Sequence, residues 1–284
     1  MHENFMHASY TVLMKTLRLN DSAHIPVIGL GTSQLRGETC TQTILDALDI
    51  GYRHLDTAEA YGNHEAIGEA IKRMTIPRAE LFLTTKIPPS FLDHDSVIAH
   101  TGQYLEELNV EYIDLLLIHW PNSATPIAET LSAMDKLRSN GKIRAIGVSN
   151  FTPHHLDDAL ATSIPVTINQ VELHPTFNQK ELRAYGESKN IVLTAYAPLG
   201  RGADMQNPLL LELADKYHVS LPQVVLNWII GRGIVAIPKA TGHAHLEDNF
   251  HALDWQLDPA DVARIESLPQ GERLFNPSSG EFDY

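Results

Sequence analysis

The chain has 284 residues, a length that fits one large barrel domain or two small domains. Hydrophobic residues make up 43% and charged residues 20%, which is ordinary for a globular protein with a buried core. The formal net charge of −14 argues against nucleic acid or an anionic membrane as a partner.

Cysteine usage and hydropathy bear on the compartment. The single cysteine, Cys40, cannot form an intramolecular disulfide and excludes a cysteine-based zinc site. No apolar run approaches the ~20 residues that cross a bilayer. Residues 1–14 lack the basic start and long apolar block of a secretory signal, and we predict a disordered arm there. The sequence therefore predicts a cytoplasmic protein with no membrane partner.

Short β-rich runs alternate with amphipathic helical patterns from residue 27 onward. Strands are predicted, in chain order, over 27–31, 53–56, 81–85, 112–119, 143–149, 166–173, 191–197 and 234–238. Helices are predicted over 41–51, 64–74, 96–109 and 127–142, with Asn140-Gly141 as the stop signal of the last one. Eight strands that alternate with helices predict a parallel sheet with helical crossovers.

Two folds share this alternation, a doubly wound sheet and a closed barrel. A dinucleotide-binding doubly wound sheet carries G-x-G-x-x-G where the first strand gives way to a helix. The segment GLGTSQLRG at 29–37 lacks that spacing. Because no linker, internal repeat or composition break divides the chain, we predict a single α/β domain over 15–284 with the (β/α)8 TIM barrel fold.

Polar residues stand where the predicted strands end. Asp56 ends the second strand, with Tyr61 in the loop beyond it, while Lys86 ends the third strand and His119 the fourth. Because the loops at the carboxyl ends of barrel strands converge on one mouth, we expect these side chains to meet there. Taken singly, a strand-end lysine or aspartate also fits a surface ion pair, and a lone tyrosine fits packing.

Together these four residues favour acid–base chemistry. A lysine ammonium beside a tyrosine, whose ordinary pKa is about 10, stabilises the phenolate and lowers that pKa. Asp56 would hold Lys86 charged, and His119 would orient and polarise a carbonyl group. A tyrosine tuned in this way can protonate an oxygen that gains charge during reduction, whereas the hydride must come from a cofactor.

The later strands end in groups that suit a nicotinamide cofactor. Ser149 and Asn150 close the fifth strand and Gln170 lies in the sixth, and their hydroxyl and amide groups match a carboxamide, which needs a donor and an acceptor. Tyr196 ends the seventh strand and offers a ring for stacking. Ser149 and Asn150 also precede a helix, so helix capping is an alternative role.

Eight segments, in this order, resemble those of the aldo-keto reductases. They are IPVIGLGTSQL, GYRHLDTAEAYGNHEAIGEAI, LFLTTKI, VEYIDLLLIHWP, GKIRAIGVSNF, INQVELHP, TAYAPLGRG and IPKATGHAHLEDN. The resemblance runs from about Leu17 to the C-terminus. It implies that Asp56, Tyr61, Lys86 and His119 form the catalytic tetrad, with Tyr61 as the general acid.

The resemblance also implies NADPH as the cofactor. By position, Ser149, Asn150 and Gln170 contact the nicotinamide amide and Tyr196 stacks on the ring. The other implied cofactor residues are Pro198, Leu199 and Gly200 in the loop over the pyrophosphate, Lys239 and His245 at the 2′-phosphate, and Asp248 and Asn249 near the adenine.

Two departures from the family pattern concern the 2′-phosphate. Ala240 replaces a common serine, and His245 replaces a common arginine. A neutral imidazole binds a phosphate dianion less well than a guanidinium does. We therefore expect secondary use of NADH beside NADPH.

Other departures concern the substrate pocket. Ser33 and Pro88 stand where many members have tryptophans, and the C-terminal tail is short. These features predict a wide, open pocket in which Trp120 and Arg273 form further walls. The short-tailed prokaryotic group that includes 2,5-diketo-D-gluconate reductases and methylglyoxal reductases is the one that the chain resembles most.

The sequence therefore predicts an NADPH-dependent reductase of aldehydes, ketones or dicarbonyls that works as a monomer on a small-molecule carbonyl substrate. One alternative is a nucleotide-binding regulatory or structural protein on the same fold. Another is a metal-dependent barrel hydrolase, prompted by the 15 histidines. Pairs such as His154-His155 fall at helix starts or in loops without a matching carboxylate set, so we predict no metal site.

Overall fold

A short hairpin precedes the barrel and closes its amino-terminal end. The computed structural model describes residues 15–20, 23–277 and 280–284, so the arm predicted over 1–14 lies outside the described residues. Strands β1 (Thr16–Arg18) and β2 (His24–Pro26) pair antiparallel. Ile25 of this hairpin is buried against apolar side chains inside the barrel, among them Phe82 at the start of a barrel strand.

Within the described residues the main sheet has eight strands, each parallel to its neighbours in chain order. They are β3 (Leu30–Gly31), β4 (His54–Asp56), β5 (Phe82–Ile87), β6 (Ile113–Ile118), β7 (Ile143–Ser149), β8 (Ile168–Glu172), β9 (Val192–Tyr196) and β10 (Val235–Ala236). The sheet closes on itself because Ala236 donates to the Val27 carbonyl oxygen and accepts from the Gly29 N–H, both at 2.9 Å. The predicted (β/α)8 TIM barrel is confirmed.

The place where the first and last barrel strands meet requires a glycine at position 31. A Cβ atom at Gly31 would lie 2.9 Å from the carbonyl oxygen of Ile237. Because that contact is too short for carbon against a backbone oxygen, only glycine lets β3 approach the chain beyond β10.

Helices surround the barrel. They are α1 (Gly37–Ile50), α2 (His64–Arg73), α3 (His94–Glu107), α4 (Ile127–Ser139), α5 (Pro153–Ala161), α6 (Lys180–Ser188), α7 (Pro208–Tyr217), α8 (Leu221–Gly231), α9 (His243–Phe250) and α10 (Pro259–Glu266). Asp93 accepts the Ser96 N–H at 3.0 Å and so caps the start of α3. The predicted stop after α4 is confirmed, with Gly141 at φ 70°.

The core has two layers, one on each side of the strands. Leu116 and Ile146 pack outward against the helices, whereas Leu117 and Ile168 pack inside the barrel. Burial of this apolar surface is the main force that holds the barrel together. None of the helices in the part of the chain that the structure describes combines the length and the apolarity that spanning a bilayer requires.

Candidate active site

Three neighbouring strands bring polar side chains to the carboxyl end of the barrel. Asp56 is the last residue of β4, Lys86 is the last but one of β5, and His119 follows the end of β6. After β4 the chain forms a single 3₁₀ turn, Glu59–Tyr61, which brings Tyr61 over the strand ends. The four residues that the sequence predicts to meet therefore do so.

Lys86 is fully buried, and its ammonium has two close acceptors. Its Nζ atom donates to Asp56 Oδ1 at 2.5 Å and to the Thr57 carbonyl oxygen at 2.7 Å. The same atom lies 5.1 Å from the centroid of the Tyr61 ring. Burial works to lower the pKa of Lys86, but Asp56 and Tyr61 outweigh it and raise that pKa above its ordinary value. Lys86 is therefore a cation next to the Tyr61 ring.

The Tyr61 phenol holds its proton firmly. Burial raises the pKa of Tyr61 above its ordinary value, and the Lys86 ammonium offsets only part of that effect. The predicted lowering by Lys86 is thus present as one contribution, but the net direction is upward because burial dominates. A protonated phenol is the form that can act as a general acid.

His119 lies edge-on to Tyr61, with ring centroids 5.9 Å apart and an interplanar angle of 81°. Burial, with a smaller contribution from the Lys86 ammonium, lowers the pKa of His119 to about 3. The imidazole is therefore neutral near pH 7 and has one nitrogen that donates and one that accepts a hydrogen bond.

A series of hydrogen bonds connects the later strands to Asp56. Tyr196 donates to Asn150 Oδ1 at 2.8 Å, and Asn150 Nδ2 donates to Ser149 Oγ at 3.0 Å. Ser149 Oγ donates to the Gln170 carbonyl oxygen at 2.9 Å, and Gln170 Nε2 donates to Asp56 Oδ2 at 2.7 Å. The residues predicted from the fifth, sixth and seventh strands thus belong to one polar network.

These side chains line a cavity of about 680 Å³ at the carboxyl mouth of the barrel. Ligand pockets in proteins typically measure roughly 300–1,000 Å³, so the cavity has the size of a small-molecule binding site. The predicted site residues that line it are Ser33, Asp56, Tyr61, His119, Trp120, Ser149, Asn150, Gln170, Tyr196, Pro198, Leu199 and Lys239.

A model of the aldo/keto reductase family matches residues 27–270, most of the chain. The chain belongs to the aldo/keto reductase family. It is 39% identical over 261 residues to the 9,11-endoperoxide prostaglandin H2 reductase of Trypanosoma cruzi, covering 90% of this chain and 92% of that protein. It is 38% identical over 266 residues to the glyoxal reductase of Bacillus subtilis, covering 93% and 96%. It is 36% identical over 270 residues to the methylglyoxal reductase DkgA of Escherichia coli, covering 94% and 97%.

Solved structures of this family superpose closely on the barrel. A putative 2,5-diketo-D-gluconic acid reductase B gives a TM-score of 0.90 at 34% identity, covering 94% of this chain and 96% of that one. The aldo-keto reductase of Bombyx mori, solved in complex with NADP, gives a TM-score of 0.86 at 32% identity, covering 93% and 95%. The resemblance stated from the sequence motifs is confirmed.

The cavity of this aldo/keto reductase carries groups that fit a nicotinamide dinucleotide. The hydroxyl of Ser149 and the amides of Asn150 and Gln170 line it and include both donors and acceptors. The Tyr196 ring lines the same space. Lys239 adds an exposed cation, whose Nζ donates to Gln34 Oε1 at 2.7 Å. Amides can donate to and accept from a nicotinamide carboxamide, and an aromatic ring can stack on the nicotinamide. A lysine ammonium can bind a phosphate.

Other predicted residues lie away from the cavity lining. The Arg273 guanidinium packs on the rings of Phe177 and Phe282, 5.0 and 3.6 Å from their centroids. Asp248 accepts from Ser220 Oγ at 2.6 Å, at the start of α8. Besides Lys86, which is buried beneath Tyr61, the remaining predicted residues outside the lining are Pro88, Gly200, His245 and Asn249. Their roles toward cofactor or substrate stay predictions.

Sequence reasoning missed several side chains that line the cavity. Gln34, Arg201 and Met205 were not among the predicted site residues. Gln34 and Arg201 lie inside the segments GLGTSQL and PLGRG, which directly follow strand positions. A polar residue in such a segment is the signal that could have identified them.

The His154-His155 pair packs against an aromatic side chain. Within residues 15–20, 23–277 and 280–284, no group of three or more histidine, cysteine, aspartate or glutamate side chains is arranged to hold a metal ion. His154 and His155 contact the Tyr284 ring, with centroids 4.4 and 4.8 Å apart.

Proposed function

We propose that this protein is an NADPH-dependent reductase that converts aldehydes, ketones or dicarbonyls to alcohols. The observation that carries the proposal is the buried Lys86 ammonium, 2.5 Å from Asp56 Oδ1 and 5.1 Å from the Tyr61 ring centroid. Such a cation stabilises the phenolate that remains when Tyr61 loses its proton. Membership of the aldo/keto reductase family supports the reaction class.

The chemistry proposed for this chain is a proton transfer. NADPH, when bound, would supply the hydride that the substrate's carbonyl carbon accepts. Tyr61 gives its phenolic proton to the carbonyl oxygen as that oxygen gains negative charge. Lys86 stabilises the phenolate, and Asp56 keeps Lys86 in place. His119, as a neutral imidazole, orients the carbonyl through a hydrogen bond to its oxygen.

The proposed contacts with the nicotinamide follow the cavity lining. Ser149, Asn150 and Gln170 hold the nicotinamide amide, and Tyr196 stacks on the ring. The proposed contacts with the rest of the cofactor are Pro198, Leu199 and Gly200 for the pyrophosphate, Lys239 and His245 for the 2′-phosphate, and Asp248 and Asn249 for the adenine. Because an imidazole is a weaker phosphate ligand than a guanidinium, NADH is proposed as a secondary cofactor.

Dicarbonyls are the proposed substrate class. The names of the glyoxal and methylglyoxal reductases of Bacillus subtilis and Escherichia coli support it. Ser33 and Trp120 in the cavity lining support an open pocket, since a serine leaves space where a tryptophan would fill it. The relative named for a prostaglandin endoperoxide shares about as much sequence identity with this chain as the glyoxal reductase does. Several substrate classes therefore belong in the test.

The test is NADPH oxidation, followed by its near-ultraviolet absorbance. The panel holds methylglyoxal, an aromatic aldehyde, an aldose and 2,5-diketo-D-gluconate, with NADH in parallel and EDTA as a control for metal dependence. We expect rapid NADPH-dependent reduction of the dicarbonyls, slow turnover of the aldose, slower rates with NADH and no effect of EDTA. A protein that binds NADPH but oxidises it with none of these compounds contradicts the proposal and supports a nucleotide-binding regulatory role.

A further inference from the structure

Three buried, ionisable side chains near the cavity take no part in the proposed proton transfer. His174 Nδ1 lies 2.9 Å from Asp204 Oδ2, and His174 Nε2 lies 3.4 Å from Glu172 Oε1. The side chains of Glu172, His174 and Asp204 are 0%, 2% and 0% exposed. Because a buried ion is stable only with partners, each of the three holds the next in place. We refer to them as the Glu172–His174–Asp204 chain.

The positive charge of His174 strengthens its hydrogen bonds within the Glu172–His174–Asp204 chain. Burial works to lower the pKa of His174, but hydrogen bonds to Asp204 and Glu172 and their negative charges outweigh it and raise the pKa to about 9. His174 is therefore a cation near pH 7 between two carboxylates.

The two ends of the Glu172–His174–Asp204 chain connect to two separate segments of the protein. Asp204 belongs to residues 197–206, the cofactor loop, which includes the 3₁₀ segment Gly200–Gln206. Glu172, at the end of β8, accepts the backbone N–H of Leu274 at 2.7 Å and of Phe275 at 2.8 Å. These two amides belong to residues 271–277, the C-terminal segment. A movement of the cofactor loop would deprive the buried His174 of a partner, and a movement of the C-terminal segment would deprive the buried Glu172 of two.

The same two segments meet again at the cavity. The guanidinium carbon of Arg201 lies 3.8 Å from the centroid of the Phe275 ring, within the range of cation–π attraction. Phe275 is also edge-on to Tyr196, with centroids 5.3 Å apart. Arg201 and Phe275 both line the cavity, so the contact between the segments lies beside the proposed cofactor position.

The backbone of the cofactor loop needs support from outside. Ala197 and Arg201 adopt left-handed conformations, with φ 47° and 50°. For a residue with a Cβ atom this costs on the order of 1 kcal/mol, so other contacts must hold the loop. A Cβ atom on Gly200 would lie 3.3 Å from His174 Nδ1, so the loop packs closely on His174, which lies outside it.

We propose that the Glu172–His174–Asp204 chain and the Arg201–Phe275 contact couple the cofactor loop to the C-terminal segment, so that retention of the dinucleotide depends on that segment. Glu172, His174 and Asp204 are positioning residues in this scheme. When one segment opens, a buried charge loses its partner, and the other segment is destabilised with it. The inference rests on the proposed function only where it assigns residues 197–206 to the cofactor.

Hydrogen exchange at the Leu274 and Phe275 amides tests the coupling in the ligand-free protein. The substitution Asp204→Asn touches neither amide. Asp114→Asn is the matched control, since Asp114 is also buried and ion-paired but lies on β6, with Arg78 as its partner at 2.7 Å. We expect the two amides to exchange at least about tenfold faster in Asp204→Asn and at the wild-type rate in Asp114→Asn. Wild-type exchange in a folded Asp204→Asn protein overturns the proposal.

A second measurement decides the matter if Asp204→Asn does not fold. The dissociation constant of NADP+ is measured by tryptophan fluorescence for Arg201→Ala, Phe275→Ala and the double variant. Coupled segments predict weaker binding in each single variant and no further loss in the double variant. Additive losses, or unchanged binding in Phe275→Ala, overturn the proposal. A failed reductase assay would contradict the proposed function without affecting the exchange experiment, which uses neither cofactor nor substrate.

Discussion

Lys86 Nζ donates to Asp56 Oδ1 at 2.5 Å inside the barrel, where neither side chain is more than 2% exposed. Desolvation of two ions costs several kcal/mol each and must be offset by close contact and further hydrogen bonds. The Thr57 carbonyl and the Gln170 amide provide those bonds. Because a buried pair adds little net stability compared with apolar residues, we attribute its presence to its effect on Tyr61.

Removal of one member of this pair should be more harmful to stability than removal of both. Lys86→Met should lower the free energy of unfolding by about 3–5 kcal/mol, because Asp56 is left without its counter-ion. Adding Asp56→Asn should recover most of that loss, since the double variant buries no charge there. Both proteins should lack reductase activity. Urea unfolding measures the effect, and a Lys86→Met protein as stable as the wild type would contradict the charged state of the pair.

His119 should remain neutral throughout the physiological pH range. Burial and the Lys86 ammonium lower its pKa to about 3, so its imidazole should not titrate between about pH 5 and 8. Nuclear magnetic resonance of the histidine ring nitrogens measures this, with His119→Gln used to assign the signal. The ordinary pKa of an imidazole is about 6.5. A titration of His119 near that value would remove the neutral hydrogen-bonding role.

Much of the fold follows from local sequence patterns. The strand predicted over 143–149 has the observed bounds of β7, because the turn at Gly141 and the left-handed Asn150 bracket it. The strand predicted over 166–173 is longer than β8 (Ile168–Glu172), since the apolar Val166 and Leu173 extend the pattern beyond the paired backbone. Apolar runs thus reveal strands better than they reveal where pairing ends.

The sequence predicts those parts of the site in which the fold topology alone determines which side chains come together. Asp56, Lys86 and His119 come together because the carboxyl ends of neighbouring parallel strands meet at one mouth. The bond from Gln170 to Asp56 joins residues 114 positions apart and needs the folded register. The net direction of the Tyr61 pKa also needed the structure, since it depends on burial by loops that carry no periodic signal.

Lys239→Ala should discriminate between the two cofactors. If Lys239 binds the 2′-phosphate, its loss should remove a charge-assisted hydrogen bond of about 1.5–3 kcal/mol, so NADPH should bind roughly 10- to 100-fold more weakly while NADH changes little. Lys189→Ala, at an exposed lysine after α6, is the matched control. Fluorescence titration with both cofactors measures the effect. Equal losses of affinity for NADPH and NADH would contradict a contact between Lys239 and the 2′-phosphate.

His174 should stabilise the protein below its pKa and lose that effect above it. Its folded pKa of about 9 exceeds the ordinary value of 6.5, so the stabilisation is full below about pH 6.5 and disappears as the pH rises through about 9. The groups that face it are the carboxylates of Glu172 and Asp204, with Arg273 beyond Glu172. Urea unfolding of wild type and His174→Gln should differ by on the order of 3 kcal/mol at pH 6 and much less at pH 10. A difference that does not change with pH would contradict the cationic His174.

Tyr61 is the proposed proton donor, and the substitution Tyr61→Phe tests that role. The measurement is NADPH oxidation with methylglyoxal, together with NADP+ binding by fluorescence, for wild type and Tyr61→Phe. We expect a loss of turnover of about 100-fold or more with NADP+ binding retained, because a general acid typically contributes that much and the ring itself remains. Turnover within a few-fold of the wild type in Tyr61→Phe would contradict the role of Tyr61 as the general acid and show that another group donates the proton.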